Sequence, residues 1–561
     1  MGTQMSGTRE RHQDRDLRKL SRSRRRDGRS AEISRLNRSK RSQDSDLTGW
    51  PVGLSNGQSL SVLSYLRNTF LDLSSARVAA GIFLLAFGVR LVAIFWFSLY
   101  QQPIAFNEME LIGRSLAENN TFANPYKIPT GPTAHGALIY PLLLSLIFRV
   151  WGYGVAARLA LLVLSAAVSS LQYALLPAVA SGCGLPRRFA VVAGLFGALV
   201  PLRLFTELDS WEACYLAAGW VVGVLILLQW WQHPSAKTSA LCGVWWGLLF
   251  LLSPQMMVVF GLAMLARTWS MLRLRDFCCL RWQILTGTVA VIVVLPWIVH
   301  QSVQLGGLVL VRDNLPLELS VSNFPGASPF QFDNFWMEGG AQIGGTRHPH
   351  GSPAEAALVA EMGELKYERW RLQEVIGWVR QDPEEFLRRT TNRIRYFWFM
   401  PSDYPKWKDV IIFPMTALSF YGLYRLMRRA PAGGMILAVG YVGYPLVYYV
   451  TNLATRYRLP IEWAILFLAS FALMERPFAI RFGRSWKRRA FLKRSLSVRA
   501  PANAPNPREA VLVDAIFTQA SSEPRAQKDL PMFAAHLGEL SALLVLQFQT
   551  EGRRDRVSLF G

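Results

Sequence analysis

Cysteine is scarce in this sequence, with five residues in a chain of 561. The five lie mostly in or beside long apolar runs: Cys183, Cys214, Cys242, Cys278 and Cys279. A small external fold held by disulfides uses more cysteines at paired spacings, and a cysteine-based zinc site needs them grouped. The sequence therefore predicts neither a disulfide framework nor a cysteine-ligated metal.

Acidic residues are also few, with 38 Asp and Glu against 61 Lys and Arg, which gives a net charge of +23. The basic residues crowd two segments, from Arg22 to Arg41 and from Arg481 to Arg494. Both segments flank apolar runs, so the positive-inside rule explains them without a nucleic-acid partner. We expect the two segments to contact anionic lipid of the inner leaflet instead.

An apolar run near the N-terminus is missing too, because the first one begins about 75 residues into the chain, beyond the n-region of a cleavable signal. Later runs reach the ~20 apolar residues that a membrane helix needs, and 51% of the chain is hydrophobic. The sequence thus predicts an all-α polytopic membrane protein. With the N-terminus inside, the basic loops favour about ten spans, within a range of nine to twelve: 78–99, 154–178, 189–206, 212–232, 238–253, 255–270, 281–300, 408–427, 433–452 and 458–475.

The segment Gly136–Gly152 is treated separately, because it is apolar over only about 15 residues and contains Arg149. Such a segment is typical of an interfacial helix rather than a span. The predicted organisation is then five parts, with both termini cytoplasmic: a mostly disordered basic tail 1–77, a transmembrane module 78–300 with a first outer loop 100–153, an outer helical loop 301–406, transmembrane helices 407–475, and a basic tail 476–561.

Within the outer loop 301–406, the pattern predicts two amphipathic helices. Asp382 is expected to cap the second one, with Pro383 at its first position. The aromatic residues Tyr396, Phe397 and Trp398 are expected to rest on the bilayer.

Two carboxylates, Glu108 and Glu110, follow the first span directly on the predicted outer side. Another acidic group lies in a tight outer turn, and an outer turn near the C-terminus carries Arg456-Tyr457-Arg458. The acidic group consists of Glu207, Asp209 and Glu212. A carboxylate that accepts a proton from a hydroxyl, together with arginines that hold a phosphate leaving group, suits group transfer from a lipid phosphate.

The chain resembles the GT-C glycosyltransferases, and within them the family 39 type related to protein mannosyltransferases and to aminoarabinose and rhizobial lipopolysaccharide transferases. The resemblance lies in the order of several segments over about 78–475: RSLAENNTFANPY (114–126), TGPTAHGALIYPLLLSLIFRVWG (130–152), VRDNLPLELSVSN (311–323), the HPH element (348–350), MGELKY (362–367) and RYRLPIEW (456–463).

The resemblance implies a GT-C-type fold and an active site on the periplasmic side of a bacterial inner membrane. It also implies a polyprenyl-phosphate sugar as donor and a glycolipid, polysaccharide or protein as acceptor. Where related proteins carry an Asp-Glu pair, this chain has Asn107 before Glu108. Glu108 then matches the single catalytic acid of the nearer branch, and Glu110 is the reserve candidate.

The acidic group Glu207, Asp209 and Glu212 and five further polar residues are candidates for lining the cavity or binding the acceptor. The five are His135, His348, Arg312, Asn314 and Glu318. No cofactor is evident from the sequence, and the first outer loop holds no tight Asp-x-Asp motif for a divalent metal. Two other functions compete with the enzyme, a transporter or flippase of an anionic or lipid-linked substrate and an inactive GT-C relative. A transporter of this kind often has an internal repeat, and none is evident here.

Overall fold

The structure, a computed structural model of the chain, describes residues 73–200, 202–208, 211–274, 277, 279–336, 347–399 and 407–475. The predicted basic tail 476–561 and nearly all of the tail 1–77 lie outside the described residues. The described residues form α-helices, short 3₁₀ turns and two isolated β-bridges, without a β-strand. The predicted all-α class is confirmed.

The helices are labelled α1 to α19 in chain order: α1 Leu73–Trp96, α2 Glu108–Asn119, α3 Ile139–Trp151, α4 Val155–Ala174, α5 Leu176–Gly182, α6 Arg188–Leu199, α7 Leu204–Leu208, α8 Ala213–Gln232, α9 Ala236–Leu252, α10 Gln255–Leu274, α11 Leu280–Leu305, α12 Leu315–Ser320, α13 Gln331–Trp336, α14 Pro353–Met362, α15 Glu364–Gln381, α16 Pro383–Trp398, α17 Trp407–Arg429, α18 Pro431–Gly443 and α19 Thr455–Met474. A 3₁₀ segment, Tyr444–Tyr449, follows α18.

Within the described residues, eight helical segments are long and apolar enough to cross a membrane. They are Ala76–Trp96, Val155–Gly182, Ala213–Gln232, Gln255–Arg273, Leu280–Leu305, Asp409–Arg429, Pro431–Tyr449 and Thr455–Met474. The chain is therefore a multi-pass membrane protein. Two of the ten predicted spans correspond to the shorter apolar helices α6 and α9, of 12 and 17 residues, so the predicted count of ten requires both of these to cross.

Two of the spans form the centre of the helix bundle. In α8 and α19, 83% and 78% of the apolar window is buried inside the protein, whereas only 22% of the window in α11 is. Helix α17 packs directly on α19, and Gly422 makes this approach close. A Cβ atom at Gly422 would lie 2.1 Å from the carbonyl oxygen of Leu468, so any side chain there would separate the two helices.

The helix α3 matches the predicted interfacial segment. Its 13 residues extend about 20 Å at 1.5 Å per residue, which is short of the ~30 Å hydrocarbon core. Leu142, Leu146 and Val150 are exposed on one face, whereas Leu144 is fully buried on the face that packs against α2. Helix α3 thereby exposes an apolar strip within the first outer loop.

The segment 301–406 contains α12 to α16, and the two predicted amphipathic helices are α15 and α16. The Asp382 side chain accepts a hydrogen bond from Glu385 N at the start of α16, with Pro383 as the first residue, so the predicted cap is confirmed. The expectation that Phe397 and Trp398 rest on the bilayer is wrong. Both are buried, because they pack against the aromatic residues of α17, α18 and the 3₁₀ segment.

Candidate active site

A cavity of about 910 Å³ opens at one end of the helix bundle. Its wall is lined by residues from six places in the chain: just after α1, at the start of α8, at the junction of α9 and α10, after α11, in the 3₁₀ segment and at the start of α19. The two segments between helices around His135 and His348 also line it. Residues far apart in sequence therefore share one polar site at the end of the spans.

Glu108 is on the cavity wall, whereas Glu110 has a structural position. The Asn107 side chain accepts hydrogen bonds of 3.1 Å from the amides of Met109 and Glu110, and Glu110 Oε2 accepts one of 3.0 Å from Asn107 N. This reciprocal capping box starts α2 and leaves Glu110 fully buried. The Asn-x-x-Glu spacing is the sequence signature of this capping box.

Glu108 shares its side of the cavity with two buried histidines, His135 and His348. One ligand atom from each of the three residues lies within 4.8 Å of the others. The Nδ1 atom of His135 lies 3.1 Å from the hydroxyl of Tyr126, and the His135 and His348 rings meet edge to face with centroids 6.1 Å apart. The structure thus joins three sequence candidates into one cluster.

The electrostatics of the cluster favour one carboxylate and two neutral imidazoles. Burial raises the pKa of Glu108, but His348, His350 and His135 outweigh it and bring the pKa to about 2. Burial lowers the pKa of His135 well below its ordinary value, with Arg312 adding to the effect, and burial also lowers the pKa of His348. At neutral pH the cluster then presents unprotonated nitrogen and oxygen ligands.

His350 also lies on the cavity wall, although the sequence prediction singled out only His348 of the HPH element. The His350 Nδ1 atom lies 3.9 Å from Glu108 Oε1. The proline between the two histidines could have indicated that both rings occupy one short, bent segment. Because His350 is two residues from His348, a single turn delivers both rings to the same carboxylate.

The cluster fits a divalent cation by the chemistry of its ligands. Two histidines with one glutamate form a ligand set used by catalytic zinc sites, which keep a further position for water or substrate. The Tyr126 hydroxyl, at 3.1 Å from His135, orients that ring as outer partners of metal ligands do. No cofactor is evident from the sequence, whereas the ligand chemistry of this cluster in the structure suits a divalent metal.

Basic side chains lie on the cavity wall as well, and they are Lys127, Arg312 and Arg456. The guanidinium of Arg456 lies over the Trp211 ring at 4.2 Å and over the Tyr457 ring at 4.9 Å. Lys127 was not a candidate from sequence, because a lone lysine in a loop carries no distinguishing pattern.

Arg458, the other predicted phosphate ligand, is absent from the described cavity wall. Its Nε atom lies 2.8 Å from Glu462 Oε1 within α19. Its guanidinium also donates to the carbonyl of Trp398 and the hydroxyl of Thr416. These partners hold Arg458 inside the helix bundle, so the structure separates it from Arg456 and Tyr457, which both line the cavity.

The predicted acidic group Glu207, Asp209 and Glu212 does not lie together at the cavity. Glu212 lines the cavity, with its Oε1 atom 4.0 Å from Nη1 of Arg312. Glu207 is fully buried, where Arg90 Nε and the Tyr173 hydroxyl donate to its two oxygens at 2.8 and 2.5 Å. Asp209 lies outside the described residues.

The remaining candidates after α11 lie together. Arg312, Asn314 and Glu318 all line the cavity. The amide of Asn314 lies 3.4 Å from Glu318 Oε1, one turn along α12. These three side chains form a polar wall on the side of the cavity that α12 contributes.

No family model matches the chain, and no curated protein matches its sequence. Among solved structures, the chain is similar to the Archaeoglobus fulgidus oligosaccharyltransferase complexed with zinc and sulfate, at 16% identity and a TM-score of 0.44 over 81% of this chain. This chain spans only 56% of the length of that protein.

The chain is also similar to ArnT from Cupriavidus metallidurans. Against ArnT bound to undecaprenyl phosphate, the identity is 13% and the TM-score 0.31, covering 72% of this chain and 78% of that one. Against ArnT in the apo state, the identity is 14% and the TM-score 0.31, covering 70% of this chain and 78% of that one. Likeness at this level does not establish the family of the chain.

Proposed function

We propose that this chain is an integral-membrane glycosyltransferase that moves a sugar from a polyprenyl-phosphate donor to an acceptor. The observation that carries the proposal is the composition of the cavity of about 910 Å³. A carboxylate–imidazole cluster, three basic side chains and an apolar portion share one space. These suit, in turn, a reacting hydroxyl, a phosphate and a lipid chain, and the sequence resemblance points to the same substrate class.

The donor phosphate is held by Arg456, with Arg312 and Lys127 as further cations on the wall. A guanidinium matches two phosphate oxygens with parallel hydrogen bonds, and its charge strengthens both. Stacking of Arg456 on the Trp211 ring fixes the plane of the guanidinium before the donor arrives. Tyr457 adds a phenol at the same wall.

The lipid chain of the donor lies against the apolar part of the cavity. Leu216, Val258, Leu315 and Val447 are on this part of the wall, and Val258 and Leu315 are themselves 43% and 46% exposed. Exposed apolar side chains on the rim of a membrane cavity let a lipid tail leave toward the bilayer without crossing polar groups. A water-soluble donor would not need such a rim.

Glu108 acts on the acceptor hydroxyl. The hydroxyl oxygen attacks the anomeric carbon, the bond from that carbon to the phosphate oxygen breaks, and the polyprenyl phosphate leaves with the electron pair. The hydroxyl proton passes to Glu108. With a pKa of about 2, Glu108 is ionised at neutral pH and is a weak base, so it orients the hydroxyl and takes the proton late, as the new bond forms.

A divalent cation would be held by Glu108, His135 and His348, and when bound it would supply Lewis-acid stabilisation of negative charge. With or without the cation, the imidazoles and Arg456 have separate roles. Imidazoles kept neutral by burial leave their nitrogens available, and Arg456, elsewhere on the cavity wall, holds the phosphate.

The setting of this reaction is part of the proposal. We infer a bacterial inner membrane, both termini in the cytoplasm and the cavity on the periplasmic side, which the positive-inside rule supports. The acceptor is a glycolipid, a polysaccharide or a protein. A transporter or flippase is less well supported, because the fully buried arginines Arg90 and Arg458 in the described spans are each paired with a carboxylate, Glu207 and Glu462.

The test uses the purified full-length protein in lipid nanodiscs, a panel of undecaprenyl-phosphate sugars and envelope fractions as acceptors. Transfer of labelled sugar by the wild-type protein, absent in Glu108→Gln, is expected. If no donor is turned over and proteoliposomes instead move labelled undecaprenyl phosphate across the bilayer, the flippase function holds. If the protein binds undecaprenyl phosphate but neither transfers nor moves it, the chain is an inactive relative.

A further inference from the structure

Two buried carboxyl groups lie behind the segment that carries His135. Asp313 follows α11, and Glu364 is the first residue of α15. Both oxygens of Asp313 and Oε2 of Glu364 are buried without a hydrogen-bond partner among the described residues. The two carboxyl groups are nevertheless close enough to hydrogen-bond to each other once a proton lies between them.

The same two residues hold Ala134 from both sides. The amide of Ala134 donates to Glu364 Oε1 at 2.5 Å, and the carbonyl of Ala134 accepts from the amide of Asp313 at 3.1 Å. The next residue, His135, donates its own amide to Thr133 Oγ1 at 3.0 Å. The backbone on the N-terminal side of the His135 ring is therefore held by the Glu364 carboxyl group on one side and by the Asp313 backbone amide on the other.

Two ionised carboxylates cannot share a buried space without a counter-charge, which would be a cation or a proton. Calcium takes about six to eight oxygen ligands, and magnesium demands octahedral geometry. Among the described residues, no third carboxylate or imidazole completes a cluster of ligand atoms around Asp313 and Glu364. A single proton needs only the two facing oxygens, so it fits where a metal does not.

We propose that Asp313 and Glu364 share one proton and act as a positioning pair for His135. The Glu364 hydroxyl donates to the Asp313 carboxylate, and Glu364 Oε1 accepts from Ala134. The inference rests on the proposed function in one respect, because it takes His135 as a working member of the cavity cluster. The role assigned to the pair is geometric: it sets where the imidazole stands relative to Glu108 and His348.

The surroundings of the pair favour a retained proton. Burial raises the pKa of Glu364 well above its ordinary value, and Asp313 adds to this; burial also raises the pKa of Asp313, although Arg312 opposes it. The other titratable groups that interact with the pair are Tyr126 and Glu368. Loss of the shared proton leaves a second negative charge in this interior. Repulsion between the two carboxylates would then separate Glu364 from Asp313.

The pH dependence has a definite sign. A carboxyl group whose folded pKa is raised contributes stability that is present below its unfolded pKa, near 4.5, and that is lost as the pH rises through the folded pKa. The wild-type protein should therefore lose stability as the pH rises above this value. Glu364→Gln, which keeps an N–H donor toward Asp313 and an oxygen toward Ala134 without a titrating proton, should flatten this dependence.

The first experiment detects the proton. Infrared spectra of the full-length protein in nanodiscs at neutral pH should contain the C=O stretching band of a buried protonated carboxyl group, and Glu364→Gln should remove part of this band. Glu368→Gln is the matched comparison, because Glu368 lies one turn further on α15, accepts from Leu317 N instead of Ala134 and has a pKa that burial also raises, so it should remove a separate part of the band. A band left at full intensity in Glu364→Gln overturns the shared proton.

The second experiment measures the position of His135. Co²⁺ serves as a spectroscopic probe of the Glu108, His135 and His348 cluster, and outer-partner changes at metal sites cost about tenfold to a hundredfold in affinity. Glu364→Ala should lose this much Co²⁺ affinity, and Glu364→Gln should recover most of it. Glu368→Ala, which removes an equally buried carboxyl group, should lose stability without losing Co²⁺ affinity.

The outcomes separate this inference from the proposed function. If Glu364→Gln loses as much Co²⁺ affinity as Glu364→Ala, or if Glu364→Ala loses none, the positioning pair is overturned. If the wild-type protein binds no Co²⁺, the metal part of the proposed function fails. The positioning pair is then tested by the rate at which diethyl pyrocarbonate modifies His135. Faster modification in Glu364→Ala but not in Glu364→Gln supports the pair, and equal rates in all three proteins overturn it.

Discussion

Arg458 and Glu462 form a buried ion pair one helical turn apart in α19, with Arg458 Nε 2.8 Å from Glu462 Oε1. The neighbouring Arg456 lies on the cavity wall instead. Two arginines that look equivalent in the sequence RYR are thus divided by the helix between the interior of the bundle and the cavity.

The first prediction follows from this division. Arg456→Ala should weaken binding of undecaprenyl phosphate by about tenfold or more, because hydrogen bonds to a charged group are worth ~1.5–3 kcal/mol each. Arg456→Lys should weaken it less than Arg456→Ala, since the charge remains without the fork. Titration with the labelled lipid in nanodiscs measures the affinity.

Arg458→Ala is the matched comparison. Removing one partner of a buried pair costs ~3–5 kcal/mol, so this variant should unfold at lower temperature, whereas its folded fraction should bind the lipid as the wild type does. A normal lipid affinity in Arg456→Ala together with a lost affinity in folded Arg458→Ala would reverse the assignment.

The second prediction concerns Arg90, which lies in the first span and is fully buried beside Glu207. Glu207→Gln should lower the free energy of unfolding by ~3–5 kcal/mol, because it leaves Arg90 charged and unpaired in the interior. Glu118→Gln is the control, since Glu118 pairs with Arg114 on the surface and such pairs are worth ~0–1 kcal/mol. Similar losses in both variants, measured by denaturant unfolding in detergent, would contradict a structural role for Glu207.

Local patterns in the sequence were sufficient for several of these features. The Asp382-Pro383 pair predicted the start of α16 because capping depends on residues within one turn. The Asn107-x-x-Glu110 capping box and the Arg458-x-x-x-Glu462 spacing were equally local, and they identify residues with structural positions. Sequence reasoning could have removed Glu110 and Arg458 from the candidate site on these grounds alone.

The cluster itself could not be derived from such patterns. Glu108 and His348 are 240 positions apart, and they meet only because the segments around them close over the same end of the bundle. Burial is equally invisible in the sequence. His135 reads as an ordinary loop histidine until the structure shows it buried beside Tyr126.

The third prediction tests the orientation of the chain. A cysteine introduced at Arg188 or Lys237, both exposed at inner-side turns in the predicted topology, should react with a membrane-impermeant maleimide only after cells are permeabilised. A cysteine at Glu118 in the first outer loop should react in intact cells. Labelling of Lys237→Cys in intact cells would contradict the proposed topology.

The fourth prediction concerns the metal. The protein stripped with a chelator should bind Zn²⁺ in a one-to-one ratio, and His135→Gln or His348→Gln should each weaken binding by about a hundredfold, since each removes one of three ligands. Tyr126→Phe should weaken it by about tenfold, because it removes only the outer partner of His135. His300→Gln, a histidine stacked on Trp297, is the control and should bind normally. Equal Zn²⁺ affinity in all four variants would exclude the cluster as the metal site.

The last prediction concerns catalysis by the first outer loop. Glu108→Gln should lower sugar transfer by about a hundredfold or more, because an oriented proton acceptor is typically worth ~10²–10⁴-fold, and the amide keeps the size of the side chain without accepting the proton. Glu110→Gln should keep transfer near the wild-type rate, since its side-chain oxygen can still accept from Asn107 N in the capping box. Both variants should bind undecaprenyl phosphate normally, which separates chemistry from donor binding. The comparison is made with one matched donor and acceptor at saturating concentrations. Full activity in Glu108→Gln with lost activity in Glu110→Gln would move the catalytic role to Glu110, and full activity in both would remove it from this loop.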